Sequence, residues 1–299
     1  MRVRRLAAVA AFSLFVAGCG GSDAGNEAEQ EESAAPTVAE EVSFPEGSTM
    51  AELNEAGALS VGTKFDQPGF GLLNPTTDKP EGFDVEIAYL VAAALGIPED
   101  GVTFTESVSA NREPFIQNGS VDIVVATYTI NDERKQLVSF AGPYYVAGQD
   151  IMVAAGNPEG ITGPDDLAGK TVCSVEGSTP AENIRTNYPE VNLITTDVYS
   201  KCADQLKNGE VVAVTTDNVI LTAFVATDAE SFELVGAPFT EEPYGIGLAL
   251  DDDDFRDFIN DVLEDSYESG AWEEAYAATV GDITGTEAPE PPSVDRYTS

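Results

Sequence analysis

The sequence predicts an α/β protein of two similar lobes, on three observations. Strand-like and helix-like segments alternate from Leu59 onward. An internal echo pairs QNGSVDIVVATYTIN, starting at Gln117, with KNGEVVAVTTDNVI, starting at Lys207; each is a helix end marked by Asn-Gly, then an apolar strand, then a Thr-rich exit. The first exit delivers Thr129 and the second Asp217, and strand exits are where α/β sheets bind ligands.

Residues 1–18 read as an export signal: Met1 to Arg5 carries three arginines, and the apolar run from Leu6 to Ala17 is too short to span a bilayer as a mature helix. Val16-Ala17-Gly18-Cys19 resembles the bacterial lipobox, which implies acylation of Cys19 and a membrane anchor made of lipid alone. A soluble export signal that happens to contain a cysteine is the alternative. Residues 19–48 hold few aromatic side chains, bury too little apolar area to fold, and are expected to form a disordered acidic tether. Residues 285–299 are Pro-rich and polar and are expected to fray as a disordered tail.

Between these ends, Leu59 to Lys64 is a short strand, Gly82-Phe83 leads into a helix through Asp84 to Leu95, and Val102 to Thr105 returns as strand. Asn111 to Gln117 is a helix closed by Asn118-Gly119, before the apolar strand from Ser120 to Ala126. Further on, the strand from Lys170 to Val175 turns at Gly177. Thr179, Pro180 and Glu182 then fit N-cap, N1 and N3 of a helix with a capping box.

Composition narrows the chemistry. The chain has no histidine, so Ser-His-Asp and Cys-His catalysis and His-ligated metals are excluded, while carboxylate or Lys chemistry is not. Acids outnumber bases 53 to 14, a net charge of −39, which repels nucleic acid and anionic headgroups and suits a saline or alkaline habitat. With Cys19 committed to lipid, Cys173 and Cys202 remain. In an oxidising compartment they are expected to form a disulfide, worth about 3 to 4 kcal/mol for a loop of this size, with two separate buried thiols as the alternative.

Three places could hold a small zwitterion. Thr127, Thr129 and Arg134 follow the apolar strand, and a guanidinium fork matches a carboxylate bidentately. Arg134 could instead join a surface charge cluster with Asp132, Glu133 and Lys135. The helix start at Ser178 and Thr179 offers backbone donors to an anion, although a capping box by itself marks any capped helix. Asp217 can pair an ammonium. Tyr144, Tyr145 and Trp272 are assigned to core packing and Lys79 and Glu81 to loops.

Residues 58–281 resemble the amino-acid-binding proteins of ABC importers, the family of periplasmic glutamine- and glutamate/aspartate-binding proteins. The resemblance is carried by Gly82-Phe83-Asp84-Val85-Glu86, the Asn-Gly-x-Val-Asp segment at 118–122, Thr129 with Asp132-Glu133-Arg134-Lys135, Pro143-Tyr144-Tyr145 and Tyr244-Gly245-Ile246. It implies a type II periplasmic-binding-protein fold, each lobe a mostly parallel sheet flanked by helices, joined by hinge strands near Val146 to Gln149 and Phe239 to Pro243. Lobe 1 would then comprise residues 49–147 and 241–284, and lobe 2 residues 148–240. By position, Arg134 and Thr129 resemble the α-carboxylate ligands, with backbone groups near Ser178 and Thr179, and Asp217 the α-ammonium ligand. Thr127 departs from the Gly or Ser of many relatives.

Two further cations bear on the ligand's side chain. Lys64 ends the first strand, and Arg112 lies in Ser109-Ala110-Asn111-Arg112-Glu113-Pro114, similar to the Asn-Arg-x-Pro segment of glutamate/aspartate binders. The bland alternatives are a solvated strand end for Lys64 and a helix-surface pair with Glu113 or Glu106 for Arg112. The resulting expectation is a monomeric, cofactor-free lipoprotein outside the cell that captures L-glutamate and presents it to an ABC permease. Glutamine or aspartate is the alternative ligand, and a dehydratase-type enzyme on the same scaffold the alternative activity.

Overall fold

The computed structural model describes residues 36–40 and 42–297, so the segment expected to be an export signal, and Cys19, lie outside the described residues. Lobe 1 opens with α1 (Thr49–Ala56), capped by Ser48, whose Oγ accepts from the Ala51 N–H at 3.2 Å. There follow β1 (Leu59–Thr63) and a small antiparallel sheet of β2 (Asp66–Gln67), β3 (Gly71–Asn74) and β4 (Lys79–Glu81). Next come α2 (Phe83–Ala94), β5 (Val102–Glu106), α3 (Arg112–Gln117), β6 (Ile123–Val124) and β7 (Ser139–Ala147). The chain crosses at Gly148 into lobe 2: β8 (Gln149–Ala154), β9 (Thr171–Val175), α4 (Thr179–Asn187), β10 (Asn192–Thr196), α5 (Tyr199–Lys207), β11 (Ala213–Asp217), α6 (Asn218–Thr227) and β12 (Phe232–Leu234). It returns over 235–241 into β13 (Glu242–Leu248), then α7 (Asp253–Ser269), α8 (Ala271–Tyr276), a π-helical turn at Ala277–Gly281 and α9 (Asp282–Thr284).

The two lobes share one sheet pattern, β5-β1-β6-β13-β7 and β10-β9-β11-β8-β12. The internal echo has its structural cause here, since β6 and β11 are the third strands of these matching orders. β5 and β6 run parallel to β1, as β10 and β11 do to β9, and the strand that crosses from the other lobe, β13 or β8, runs antiparallel to its neighbours. The outgoing and returning crossings pair with each other, Ala147 opposite Glu242 and Val146 opposite Pro243. The fold is therefore the two-lobed type II arrangement.

Alternation along the strands builds a core on each face of each sheet. Ile123 and Val125 join the cluster of Phe83, Trp272 and Tyr144, whereas Val124 and Ala126 join that of Tyr128 and Phe140. In lobe 2, Ile151 and Val153 face one cluster and Met152 the other. Tyr144, Tyr145 and Trp272 are core residues as expected, and the indole N–H of Trp272 donates to the Tyr144 carbonyl at 2.8 Å. Cys173 and Cys202 form a disulfide, stapling α5 to β9. Among the described residues, no helix is long and apolar enough to cross a membrane.

Three local expectations need correction. The apolar run 120–126 enters the ladder only at Ile123–Val124, because Asp122 turns its carboxylate to the Ser60 N–H (2.7 Å) and Thr127 takes a left-handed φ of 43°. The cap of α4 is Ser178 rather than Thr179: its Oγ accepts from the Ala181 N–H at 3.1 Å, which moves Glu182 beyond the capping-box position, where it pairs with Arg185 instead. Within the described residues, 36–48 and 285–297 make specific contacts that their composition does not suggest. On the N-terminal side, the Ala39 N–H donates to the Ala93 carbonyl at 3.0 Å, and Phe44 packs edge-on against Phe258. At the C-terminal side, the Asp295 N–H donates to Gly142 and the Tyr297 hydroxyl accepts from the Phe140 N–H at 2.9 Å. The Tyr297 ring also sits under the charges of Lys135 and Arg256, so one aromatic side chain holds a polar segment that buries little apolar area.

Candidate functional site

The crevice between the lobes is walled by strand exits and helix starts, and six of the expected ligand residues line it: Arg112, Thr127, Thr129, Ser178, Thr179 and Asp217. Lys64 and Arg134 stand one layer behind. Lys64, just past β1, donates from Nζ to Ser109 Oγ at 2.9 Å, and Ser109 is the residue that reaches the crevice. Arg134 donates to the Thr129 carbonyl at 2.7 Å and pairs through Nε with Glu113 at 3.3 Å. Both arginines are buried, at 2% and 7% exposure, so neither is the surface-cluster residue that sequence alone allowed.

The two guanidiniums lie over the ring of Tyr128, Arg112 at 4.3 Å and Arg134 at 5.0 Å from its centroid. Both also reach across to lobe 2, where the Gly177 carbonyl accepts from Arg112 Nη2 at 3.3 Å and from Arg134 Nη2 at 3.0 Å. That approach requires glycine: Gly177 has a φ of +80°, and a Cβ there would lie 2.8 Å from the backbone of Ala110. Arg112 is the more committed of the two. Its Nε donates to Ser109 and its Nη1 to the carbonyls of Ala126 and Thr127, leaving little of its fork for anything else.

Thr127 turns its hydroxyl to Gln67 Oε1 at 3.1 Å, and its N–H donates to the buried Asp84 at 2.8 Å. Thr129 faces lobe 2, where the Thr179 hydroxyl donates to the Glu242 carboxylate at 2.7 Å and so accepts from the Thr129 hydroxyl at 3.2 Å. At the start of α4 the Ala181 and Glu182 N–H groups are spent on Ser178 and Pro180 has none, so Thr179 supplies the one backbone donor of that turn not used in these bonds.

Asp217 closes β11 and is 3% exposed. Its Oδ2 accepts from the Tyr244 hydroxyl at 2.6 Å, while Oδ1 is buried with no hydrogen-bond partner among the described residues. Burial, and then the nearby Glu242 carboxylate, push the Asp217 carboxyl up to about 7. Burial, and then the Arg112 charge, push the Lys64 ammonium down to about 7. The crevice therefore has a cationic side and an anionic side, each paying a desolvation penalty that a ligand of opposite charge relieves.

Sequence reasoning missed Ser109, Tyr199, Thr216 and Glu242. Ser109 lies inside the quoted Asn-Arg segment and Thr216 directly precedes Asp217, so adjacency was the available signal. Tyr199 and Glu242 arrive from α5 and the returning hinge strand, and nothing in their local sequence marks them.

The crevice holds about 10 Å³, roughly one water, so the lobes must part before an amino-acid-sized ligand can enter. Two like sheets joined by paired hinge strands around a charged crevice define a two-lobed ligand-binding protein. The chain belongs to the bacterial extracellular solute-binding proteins, family 3, which it matches over residues 59–281. It is similar to the glutamate-binding protein GluB of Corynebacterium glutamicum, 40% identical over 237 residues, or 76% of this chain and 80% of that one. It is also similar to the ABC transporter glutamine-binding protein GlnH of Bacillus subtilis, 34% identical over 279 residues, or 92% and 96%. Among solved structures, the solute receptor for L-cysteine of Neisseria gonorrhoeae superposes with a TM-score of 0.75 at 29% identity, covering 80% of this chain and 96% of that one. These relatives are binding proteins, which sides against the dehydratase-type alternative.

Proposed function

We propose that this protein captures L-glutamate outside the cell and delivers it to the permease of an ABC importer, held at the membrane by a lipid on Cys19. The observation that carries the reading is the polarity of the crevice. In a chain with a net charge of −39, Lys64, Arg112 and Arg134 are buried together, and Asp217 opposes them with an oxygen that lacks a partner. A cationic side and an anionic side match a zwitterion, and a third cation is a reason to prefer a ligand with a second carboxylate, since enclosing an anion costs several kcal/mol unless a charge meets it.

In this reading the Arg134 fork and the Thr129 hydroxyl receive the α-carboxylate, with Thr179 N–H assisting and the Ser178 cap fixing that turn. Asp217 receives the α-ammonium. Lys64, working through or beside Ser109, meets the side-chain carboxylate, and Arg112 supports it while tying the lobes together. Thr127 shapes the floor through its backbone. The similarity to GluB supports glutamate, and that to GlnH keeps glutamine as the rival.

Calorimetric titration with glutamate, aspartate and glutamine tests the assignment. Glutamate is expected to bind tightest; a glutamine affinity equal to or above that for glutamate overturns it. For the anchor, Cys19→Ser is expected to move the protein from the membrane to the soluble fraction, and unchanged membrane retention overturns that part alone.

A further inference from the structure

Helix α5 begins without a cap of its own. Its N-cap is Val198, in extended geometry and with no side chain able to accept from the first-turn N–H groups. The missing acceptor comes from the other lobe: the Asp66 carboxylate, on β2 of lobe 1, accepts from the Ser200 N–H at 3.2 Å. Ser200 is the second residue of α5, the position an N-cap side chain would serve, and a negative charge there also meets the positive end of the helix dipole.

The surroundings tie this contact to the crevice. The first residue of α5, Tyr199, lines the crevice and is 3% exposed, and Cys202, nearly one turn on, bonds α5 to β9. A pull on the start of α5 is therefore carried into the lobe 2 sheet, and the same contact sets where Tyr199 stands. Asp66 itself does not line the crevice. On its own side it is two residues from Lys64. Burial pushes the Asp66 carboxyl up, while Lys64 and the N–H groups of Ser200 and Tyr199 pull it back.

We infer that Asp66 is a positioning residue that latches the lobes: it caps α5 across the interface only when they are together, and so favours the closed arrangement without touching the ligand. The inference rests on the capture of a ligand between the lobes proposed above. Because the cap is present in one arrangement and absent in the other, its whole contribution enters the opening equilibrium. Removing it should shift that equilibrium by about five- to thirtyfold, the weight of one helix cap.

The test uses the full chain with spin labels at exposed Asp100 of lobe 1 and Glu210 of lobe 2, measuring the interlobe distance without ligand and then titrating glutamate and glutamine. Asp66→Ala is expected to lengthen the distance, raise both dissociation constants by the same factor and speed release. Asp66→Asn, which keeps an acceptor oxygen, should fall between Asp66→Ala and the wild type, and serves if Asp66→Ala folds poorly.

Adding Val198→Asp to Asp66→Ala gives α5 a cap from its own lobe, which should restore melting temperature but neither distance nor affinity. Full restoration of all three would mean that Asp66 merely stabilises the helix, and would overturn the latch. So would an unchanged distance in Asp66→Ala. A loss confined to glutamate would place Asp66 in ligand selection through Lys64 and would also overturn it. Failure of the wild type to bind glutamate would overturn the proposed ligand instead, and the distance measurement would still decide the latch.

Discussion

The Tyr244 hydroxyl, carried back into lobe 1 on the returning hinge strand, donates to Asp217 of lobe 2 at 2.6 Å. This bond favours the charged carboxylate, opposing the burial that pushes the Asp217 carboxyl up to about 7. Tyr244→Phe keeps the ring against Phe70, Tyr144 and Tyr145 and removes only that donor. Every amino acid ligand should then weaken alike, by about 1.5 to 3 kcal/mol as for other hydrogen bonds to charged groups. Calorimetry at pH 7 and pH 8 checks the cause: the deficit should shrink at the higher pH, where Asp217 ionises without help.

Lys64 is the cleanest probe of the proposed side-chain site, since among the described residues its ammonium makes a single hydrogen bond, to Ser109, whereas Arg112 holds four carbonyls in place. Lys64→Met should cost glutamate about 3 to 5 kcal/mol by leaving an enclosed carboxylate unpaired, and glutamine far less. An unchanged ratio of the two dissociation constants would remove Lys64 from the side-chain site. Arg134→Ala should instead weaken both ligands together.

Stability should fall from mildly acidic to neutral pH. Burial pushes Asp84, Glu86 and Asp217 up to about 7 each, above their unfolded values. Such groups contribute stability that is complete below the ordinary carboxylate range and lost as pH rises through about 7. Lys64, pushed down to about 7, acts in the other direction and above that pH, where its penalty is relieved as it deprotonates. The ligand-free protein is expected to melt higher at pH 5.5 than at pH 7.5, and Asp217→Asn should flatten that slope.

The Cys173–Cys202 bridge closes a separation of 29 residues between β9 and α5. Reduction, or Cys173→Ser with Cys202→Ser, should lower unfolding stability by about 3 kcal/mol, within the usual range for such loops. Denaturant titration reads this directly. Thiol labelling of unreduced, denatured protein should find neither cysteine.

What was legible in the sequence was whatever depends on neighbours along the chain. The apolar runs set the strands, the Asn-Gly turns marked both copies of the repeated unit, and Arg134, Thr129 and Asp217 stood out because strand exits are read locally. The cap of α4 was misplaced by one residue because Ser178 and Thr179 both satisfy the local rule, and only the backbone geometry of Ser178 separates them. Asp66 and Glu242 were illegible for a different reason: Asp66 meets Ser200 and Glu242 meets Thr179 across the lobe boundary, so their meaning appears only when both hinges bring the lobes together. Residues 285–297 misled because polar, Pro-rich composition says nothing about a single Tyr297 finding two cations and a backbone N–H.

The Gly177 carbonyl, which accepts from both Arg112 and Arg134, stands as a competitor of the ligand in the proposed site. In the proposed site an incoming carboxylate must take over an Arg134 donor that the backbone of lobe 2 already engages, so the affinity would be the intrinsic one scaled by the fraction of molecules whose guanidinium is released. Affinity in this chain can therefore be retuned at the hinges or at any interlobe contact, with every residue that meets the ligand left as it is.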